Sequence, residues 1–205
     1  MKNNTMDGVT FPHGVRSADA SDWMLLGDVI ADAFREDPVM CWSFNHFEAS
    51  RVAMRLLARH VYLPRGECFL SEAGGGAMWL PPNTSKSMSA FRQAQLAFSV
   101  VRRAGHGAIK RALVVDEAMV RHKPKEPHAY LFTIGVAESG RGKGLGKQLM
   151  QPLLNAADRH GWPVYLENSN PSNQSFYNSF GFETLEVFQA TDDAPPLEAM
   201  WRAPS

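Results

Sequence analysis

The sequence predicts a single α/β domain, and three observations carry that prediction. Short apolar runs rich in β-branched and aromatic residues at 130–136 and 163–168 are typical of buried strands. Between them, apolar residues recur at helical spacing over 145–157. The alternating stretches 182–188 and 197–201 indicate a final antiparallel pair. With 205 residues and 44% hydrophobic content, we expect one domain over residues 1–205, with residues 1–8 disordered.

The preceding part of the chain fits the same α/β order. Residues 9–16 are predicted as a first strand, and a helix is predicted from near Ser21 to just before Pro38. A second helix is expected over roughly 48–63. Residues 68–70 and 77–80 predict a hairpin across three glycines, and residues 85–122 are predicted to be largely helical.

Composition excludes several classes of function. Lys+Arg and Asp+Glu are equal at 21 each, so we expect no nucleic-acid partner. No apolar run approaches the ~20 residues that span a bilayer, and the first residues lack a signal core, so we expect no membrane association and a cytoplasmic location. Cys41 and Cys68 are interpreted as unpaired thiols. Seven histidines without ligand spacing predict no metal site.

The most informative stretch is residues 138–147, where glycine recurs at every second position between a strand and a helix. Glycines without Cβ let successive backbone N–H groups converge on an anion, and the helix start adds roughly half a positive charge. Arg141, Lys143 and Lys147 add full charges nearby. The segment therefore predicts a phosphate-binding loop.

Two familiar phosphate loops fail when their residues are counted. A nucleoside-triphosphate loop needs glycine five residues before its Gly-Lys pair and Ser or Thr after it, but Arg141 and Gln148 occupy those places. A dinucleotide fingerprint needs a third glycine where Lys147 stands.

What remains, Arg141-x-x-Gly144-x-Gly146, resembles the Q/R-x-x-G-x-G/A loop of the GCN5-related N-acetyltransferase (GNAT) superfamily. The later order of strand, Asn-Pro-x-Asn, Phe-Tyr and Gly-Phe is similar to the second half of the acetyl-CoA site in that family. The phrase Trp79-Leu80-Pro81-Pro82 resembles a subgroup that includes puromycin-type acetyltransferases. Pro152 departs from the pattern, because it falls inside the predicted loop-bearing helix.

The resemblance implies a GNAT-like mixed, mostly antiparallel sheet flanked by helices, with a splayed parallel strand pair at the acetyl-CoA site. It implies acetyl-CoA as the acyl donor, bound without a metal. In the family, an asparagine that corresponds to Asn173 contacts the pantetheine arm, and a tyrosine that corresponds to Tyr177 lies near the thioester sulfur. The family also has a strand bulge that exposes backbone groups to the coenzyme, and Gly135 fits such a bulge. The implied coenzyme-binding residues are Ile134, Gly135, Val136, Arg141, Gly142, Lys143, Gly144, Leu145, Gly146, Lys147, Asn168, Asn173 and Tyr177.

Acetyl transfer to an amine also needs a proton acceptor and a donor to the leaving thiolate. Glu167, at the end of its strand, is the first candidate for the base, with Glu126 and His128 as alternatives and a water relay as a further one. Tyr177 is the candidate donor, and a tyrosine that only packs in the core is the alternative. The alternative for Glu167 is a structural role, in which its side chain caps the following loop.

These residues predict an N-acetyltransferase that acts on a primary amine of a small molecule, possible as a homodimer. A non-catalytic acyl-CoA sensor and an enzyme using a longer acyl-CoA stay open. Residues 1–50 carry eight acids against three basic residues, a pattern that favours either a cationic amine or a solvated helix face. Residues 102–125 are basic and fit either an anionic group or a surface helix. Several aromatic residues are candidates for an acceptor pocket or for the core: Trp42, Phe44, Phe47, Tyr62, Phe188 and Trp201.

Overall fold

The computed structural model describes residues 5–205, apart from the side chain of Ser139. A seven-stranded sheet runs through the molecule in the order β1-β2-β3-β4-β5-β7-β6. Its strands are β1 (Val15–Ser17), β2 (Glu67–Ser71), β3 (Gly75–Leu80), β4 (Ala129–Val136), β5 (Val164–Asn168), β6 (Glu183–Phe188) and β7 (Leu197–Arg202).

Every neighbouring pair in the sheet is antiparallel except β4 and β5. This confirms the mixed, mostly antiparallel sheet and the hairpin of β2 and β3. It also confirms the antiparallel pair at the end of the chain.

Seven α-helical segments flank the sheet. They are α1 (Trp23–Ala33), α2 (Pro38–Phe44), α3 (Phe47–Leu57), α4 (Leu63–Arg65), α5 (Ala90–His122), α6 (Leu145–His160) and α7 (Gln174–Asn178). The face of the sheet against which α1 packs, here the α1 face, carries Tyr130, Tyr165 and Tyr62 in one core cluster. The opposite α6 face carries Leu131, Leu166 and Tyr177 in another.

Three elements differ from the sequence prediction. The first strand is confined to Val15–Ser17, because a turn from Pro12 to Val15 with Gly14 at φ 75° keeps the preceding residues out of the sheet. Helix α2 was not predicted. Asp37 begins it by accepting from the Met40 N–H at 2.9 Å, and Pro38 occupies its first turn.

The third difference is irregularity within the predicted helices. The second predicted helix consists of α3, a π-helical segment Ala58–Tyr62 and the short α4. Helix α5 is broken at Gly105, whose φ of 76° and ψ of 175° are not helical. Pro152 lies inside α6 and is buried, and the helix continues past it.

The expected disorder of residues 1–8 falls partly on residues 1–4, which lie outside the described residues. Residues 5–8 form a turn, and the Arg159 guanidinium donates to the carbonyls of Asp7 and Gly8.

Candidate active site

Strands β4 and β5 separate soon after they meet. Only Ala129 with Val164 and Tyr130 with Tyr165 are in register, so the remaining six residues of β4 have no partner strand on that side. Unpaired backbone donors and acceptors at such an edge are available to an extended ligand. The predicted stretch 134–136 lies in this separated part of β4.

The bulge in β4 is at Phe132, which corrects its predicted place at Gly135. Met78 pairs with Thr133 and Trp79 pairs with Leu131, so Phe132 is the extra residue. Gly135 instead pairs regularly with Gly76. A Cβ on Gly135 would lie 2.6 Å from the Ala33 Cβ, so this glycine allows the end of α1 to approach β4.

The glycine-rich loop leads from β4 into α6. Gly142 and Gly144 both have φ of 74°, and a Cβ built on either one meets no atom within 4 Å. Glycine is favoured at both positions because of the positive φ, and the space beside both residues is open. The N-cap residue of α6 is Gly144, which has no side chain to cap the helix, so the N–H groups of the first turn are left to solvent or a ligand. These features fit an anionic phosphate group.

The other loop residues have different roles. A Cβ on Gly146 would lie 3.2 Å from the Phe176 ring, so this glycine permits α7 to pack on α6. The Leu145 side chain is buried in the core, which leaves only its backbone for a ligand. Arg141 donates through Nη2 to the Ala33 carbonyl at 3.2 Å. Lys143 and Lys147 are exposed beside the loop.

Glu167 lies on β5 two residues beyond Tyr165, where the two strands have separated. Its side chain keeps some solvent contact, yet protein atoms surround the carboxyl group closely enough that burial raises its pKa to about 7. Tyr130, Lys86, Tyr165 and Lys123 oppose this by favouring the ionised form. The Tyr130 and Tyr165 hydroxyls make no hydrogen bond of normal length and angle within residues 5–205, so their effect on Glu167 comes from proximity.

Buried polar atoms without partners concentrate along these two strands. Among the described residues, the unpartnered atoms here are Thr133 Oγ1, Tyr130 OH, Tyr165 OH and His128 Nε2. An unsatisfied buried polar group costs about 1–3 kcal/mol, and several together are expected where a ligand or water completes the bonding.

Asn168 and Asn173 have unlike surroundings. The buried Asn168 donates through Nδ2 to Glu198 at 2.9 Å and accepts from the Asn170 N–H at 3.2 Å, so protein groups use both ends of its amide. Asn173 is exposed just before α7. Glu198 also accepts from Gln174 at 2.7 Å and from Thr184, and thereby ties α7 to the sheet.

Tyr177 is buried on α7, and burial followed by the negative charge of Asp37 raises the pKa of its phenol. Sequence reasoning missed Asp37. Its carboxylate is buried, accepts from Ser169 Oγ at 2.6 Å and begins α2, and burial raises its pKa. Asp37-Pro38 is a recognisable helix start, but its position beside the end of β5 depends on the fold.

The alternative base candidates are separated from the end of β5. His128 is buried before β4, donates through Nδ1 to the Glu126 carbonyl at 2.6 Å and contacts the Tyr165 and Trp201 rings. Burial lowers the His128 pKa. Glu126 is exposed on the surface.

The aromatic candidates are core residues. Tyr62 is 1% exposed and stacks on Phe132 at 4.6 Å, at the bulge. The others are buried or partly buried in the core clusters: Trp42, Phe44, Phe47, Phe188 and Trp201.

The acidic N-terminal region is largely neutralised by arginine. Four ion pairs account for much of it: Asp22 with Arg16, Asp28 with Arg55, Asp32 with Arg35 and Glu48 with Arg51. Half of the eight acids in residues 1–50 are therefore paired with arginine, which fits the solvated helix face for these four.

Neither Cys41 nor Cys68 is in a disulfide bond. Over residues 5–205 there is no helix long and apolar enough to cross a bilayer. The same residues contain no group of three or more His, Cys, Asp or Glu side chains suited to a metal ion.

Comparison with known proteins agrees with the fold. Residues 95–182 match the acetyltransferase (GNAT) family. An uncharacterized N-acetyltransferase of Schizosaccharomyces pombe is 27% identical, over 92% of this chain and 83% of its own length. A solved structure from Corynebacterium glutamicum, described as histone acetyltransferase HPA2 and related acetyltransferase, is 26% identical with a TM-score of 0.68, covering 93% of this chain and 96% of that one. A Drosophila melanogaster polyamine N-acetyltransferase shares the fold at 15% identity and a TM-score of 0.59, covering 92% of this chain and 98% of that one.

The fold and these relatives define the protein as an N-acetyltransferase. The family model covers residues 95–182, and members of this GNAT family use acetyl-CoA. The comparisons support the superfamily and do not specify the puromycin-type subgroup.

Proposed function

We propose that the protein transfers the acetyl group of acetyl-CoA to a primary amine of a small molecule, by direct attack within a ternary complex. The observation that carries this proposal is the position of Glu167. Its carboxyl group, with a pKa of about 7, lies on β5 immediately beyond the last registered pair of β4 and β5. A base with this pKa is suited to accept a proton near neutral pH.

The loop and the open edge of β4 fit acetyl-CoA. The left-handed Gly142 and Gly144 and the uncapped start of α6 would hold the diphosphate, with Lys143 and Lys147 beside it. The backbone groups of residues 134–136 that face away from β3 would bind the pantetheine amides, and the exposed Asn173 would contact the same arm. When bound, acetyl-CoA supplies the thioester carbonyl that the amine attacks.

Glu167 would make the amine reactive. An alkyl amine with a pKa of ~10.4 is almost wholly protonated at pH 7, so attack requires a group that takes a proton. Glu167 first takes one proton from the ammonium, directly or through water, and passes it to solvent, which leaves a neutral amine. As the nitrogen then forms its bond to the carbonyl carbon and the bond to sulfur breaks, the nitrogen loses its second proton.

Tyr177 would act on the leaving sulfur. Because the pKa of its phenol is raised, the hydroxyl stays protonated at neutral pH and donates a hydrogen bond to the developing thiolate. The sulfur finally takes one proton from solvent, which balances the proton lost by the amine. Ser169 holds Asp37 near this phenol, so Asp37 is expected to orient it.

A thiol-release assay tests the proposal. Purified protein is incubated with acetyl-CoA and a panel of primary amines, and mass spectrometry identifies the acetylated amine. We expect thiol release that depends on the amine and falls about 10²- to 10⁴-fold in Glu167→Gln. Equal rates for wild type and Glu167→Gln would remove Glu167 from the reaction.

The same assay separates the two alternatives. A non-catalytic sensor would bind acetyl-CoA without releasing thiol for any amine, and Tyr177→Phe would change nothing. An enzyme for a longer acyl group would release thiol faster from butyryl-CoA than from acetyl-CoA.

A further inference from the structure

A small cavity lies beside the start of β4. It has a volume of about 180 Å³, and it lies between the end of β3 and residues 123–128. Lys123, His128 and Tyr130 line it, together with Leu80, Pro81 and Lys125. Tyr130 connects this cavity to Glu167, because the same tyrosine also lowers the pKa of the Glu167 carboxyl group.

Lys123 brings a partly buried cation to this cavity. It makes no ion pair with any residue in the part of the chain that the structure describes, and its Nζ lies 4.5 Å from the centre of the Tyr130 ring. Burial lowers its pKa, whereas Glu167 raises it. Lys123 also follows the last turn of α5, where the helix dipole favours a cation.

A second lysine adds positive charge on the same side. Lys86 lowers the pKa of both Glu167 and Lys123. Its Nζ also forms an ion pair with Asp116 Oδ1 at 2.7 Å. An acceptor with a second positive charge would be repelled here, whereas an anionic group would be attracted.

His128 shows that the cavity is also built for a polar contact. This side chain is 6% exposed, and its Nε2 has no hydrogen-bond partner within residues 5–205. Because Nδ1 donates to the Glu126 carbonyl and burial keeps the ring neutral, Nε2 is an acceptor. A ligand N–H or a bound water satisfies it.

We propose that the acceptor is an amine that also carries an anionic group, and that Lys123 binds this group while the amine lies at Glu167. The chemical class is a short amino carboxylate. The cavity volume suits a group of a few atoms, which is smaller than a drug-sized ligand needs. This inference rests on the proposed function, because it assigns the reacting amine to Glu167.

Matched acceptors test the charge requirement. Thiol release is compared for β-alanine, β-alaninamide and 1,3-diaminopropane, which place a carboxylate, a neutral amide or an ammonium at similar distance from the amine. Phosphoethanolamine tests whether a phosphate serves as the anion. We expect kcat/KM for the preferred anionic acceptor to exceed that for the amide and the diamine at least tenfold. Equal or higher values for the diamine would overturn the proposal.

Lys123→Met tests the residue, with Lys110→Met as a control that removes an exposed charge from the same helix. Because Lys123 also lowers the pKa of Glu167, the comparison is made on KM: Lys123→Met is expected to raise KM for the anionic acceptor about tenfold and to leave KM for the amide little changed. Lys110→Met should behave like wild type. If Lys123→Met slows the amide and the anionic acceptor equally, Lys123 does not recognise the anion.

Calorimetry with the CoA-bound protein distinguishes this inference from the proposed function. Binding of β-alanine or phosphoethanolamine that is lost in Lys123→Met, without thiol release, would support the anion site and contradict the proposed catalysis. Thiol release from the diamine alone would support catalysis and contradict the anion site. Absence of both binding and turnover for the anionic probes would contradict the anion site.

Discussion

Tyr130 and Tyr165 are the last residues in register between the two parallel strands, and their rings lie 6.1 Å apart. Both phenols lower the pKa of Glu167, which lies two residues beyond this last pair. The same pair of residues therefore marks where the sheet opens and shapes the surroundings of the proposed base.

The glycine loop gives the first prediction. Gly144→Val places a β-branched residue at φ 74°, where it is strained, so the loop should lose its shape. We expect acetyl-CoA binding to weaken at least tenfold, measured by calorimetry. Gly161→Val is the matched control, because Gly161 has φ of 65° at the opposite end of the same helix and a Cβ there also meets no atom within 4 Å. If both variants bind acetyl-CoA like wild type, the loop does not hold the coenzyme.

The pKa of Glu167 gives the second prediction. With acetyl-CoA and the acceptor saturating, kcat should fall about tenfold per pH unit below about 7, because the protonated carboxyl group cannot accept a proton. Above that pH, kcat should level off. The residual activity of Glu167→Gln should lack this inflection. A wild-type profile that stays flat from pH 5 to 8 would contradict the assignment.

The same carboxyl group gives a stability prediction. Because its pKa rises from an ordinary 4.5 to about 7 on folding, the native state binds more protons between these values, and its stability falls as pH rises through them. Glu167→Gln removes this loss. Relative to wild type, the variant should gain about 1–3 kcal/mol in free energy of unfolding between pH 4.5 and pH 8. Urea denaturation of both proteins at the two pH values measures their free energies of unfolding. If the variant differs from wild type by the same amount at pH 4.5 and at pH 8, the pKa of Glu167 is not raised.

The fourth prediction concerns Glu198, which accepts from Asn168, Gln174 and Thr184. In Glu198→Gln, an amide donor faces at least one of these donors, so we expect the free energy of unfolding to drop by about 1–3 kcal/mol. Glu183→Gln, an exposed change on β6, should stay within about 0.5 kcal/mol of wild type. Similar stability of the two variants would show that the Glu198 contacts contribute little. Urea denaturation at a fixed pH makes the comparison.

Patterns local to the chain predicted much of this architecture. The glycine loop between a strand and a helix, and the hairpin at β2 and β3, are encoded within short stretches. Asp37-Pro38 was also a local signal, but it was interpreted as the end of a helix because it follows one. The bulge at Phe132 was not predictable from β4 alone, since a bulge is defined by the register of two strands.

The charge around Glu167 was equally beyond reach of the sequence pattern. Lys86 and Lys123 are far apart in the chain, and only the fold, in which Lys86 pairs with Asp116 of α5, places both near one carboxyl group. The acids of residues 1–50 left both a cationic acceptor and a solvated helix face open. Asp32 and Glu48 pair with an arginine three residues away, whereas the pairing of Asp28 with Arg55 depends on the packing of α1 against α3.

The extra residue in β4 also decides which side of the sheet the first half of that strand faces. Upstream of Phe132, Tyr130 and Leu131 face opposite sides of the sheet, and the bulge sets their phase relative to Ile134 and Val136. If all eight residues of β4 paired regularly with β3, every side chain before Phe132 would move to the other side and Tyr130 would exchange with Leu131. The Tyr130 hydroxyl would then enter the hydrocarbon packing of α6, so the core on both faces favours the bulged pairing.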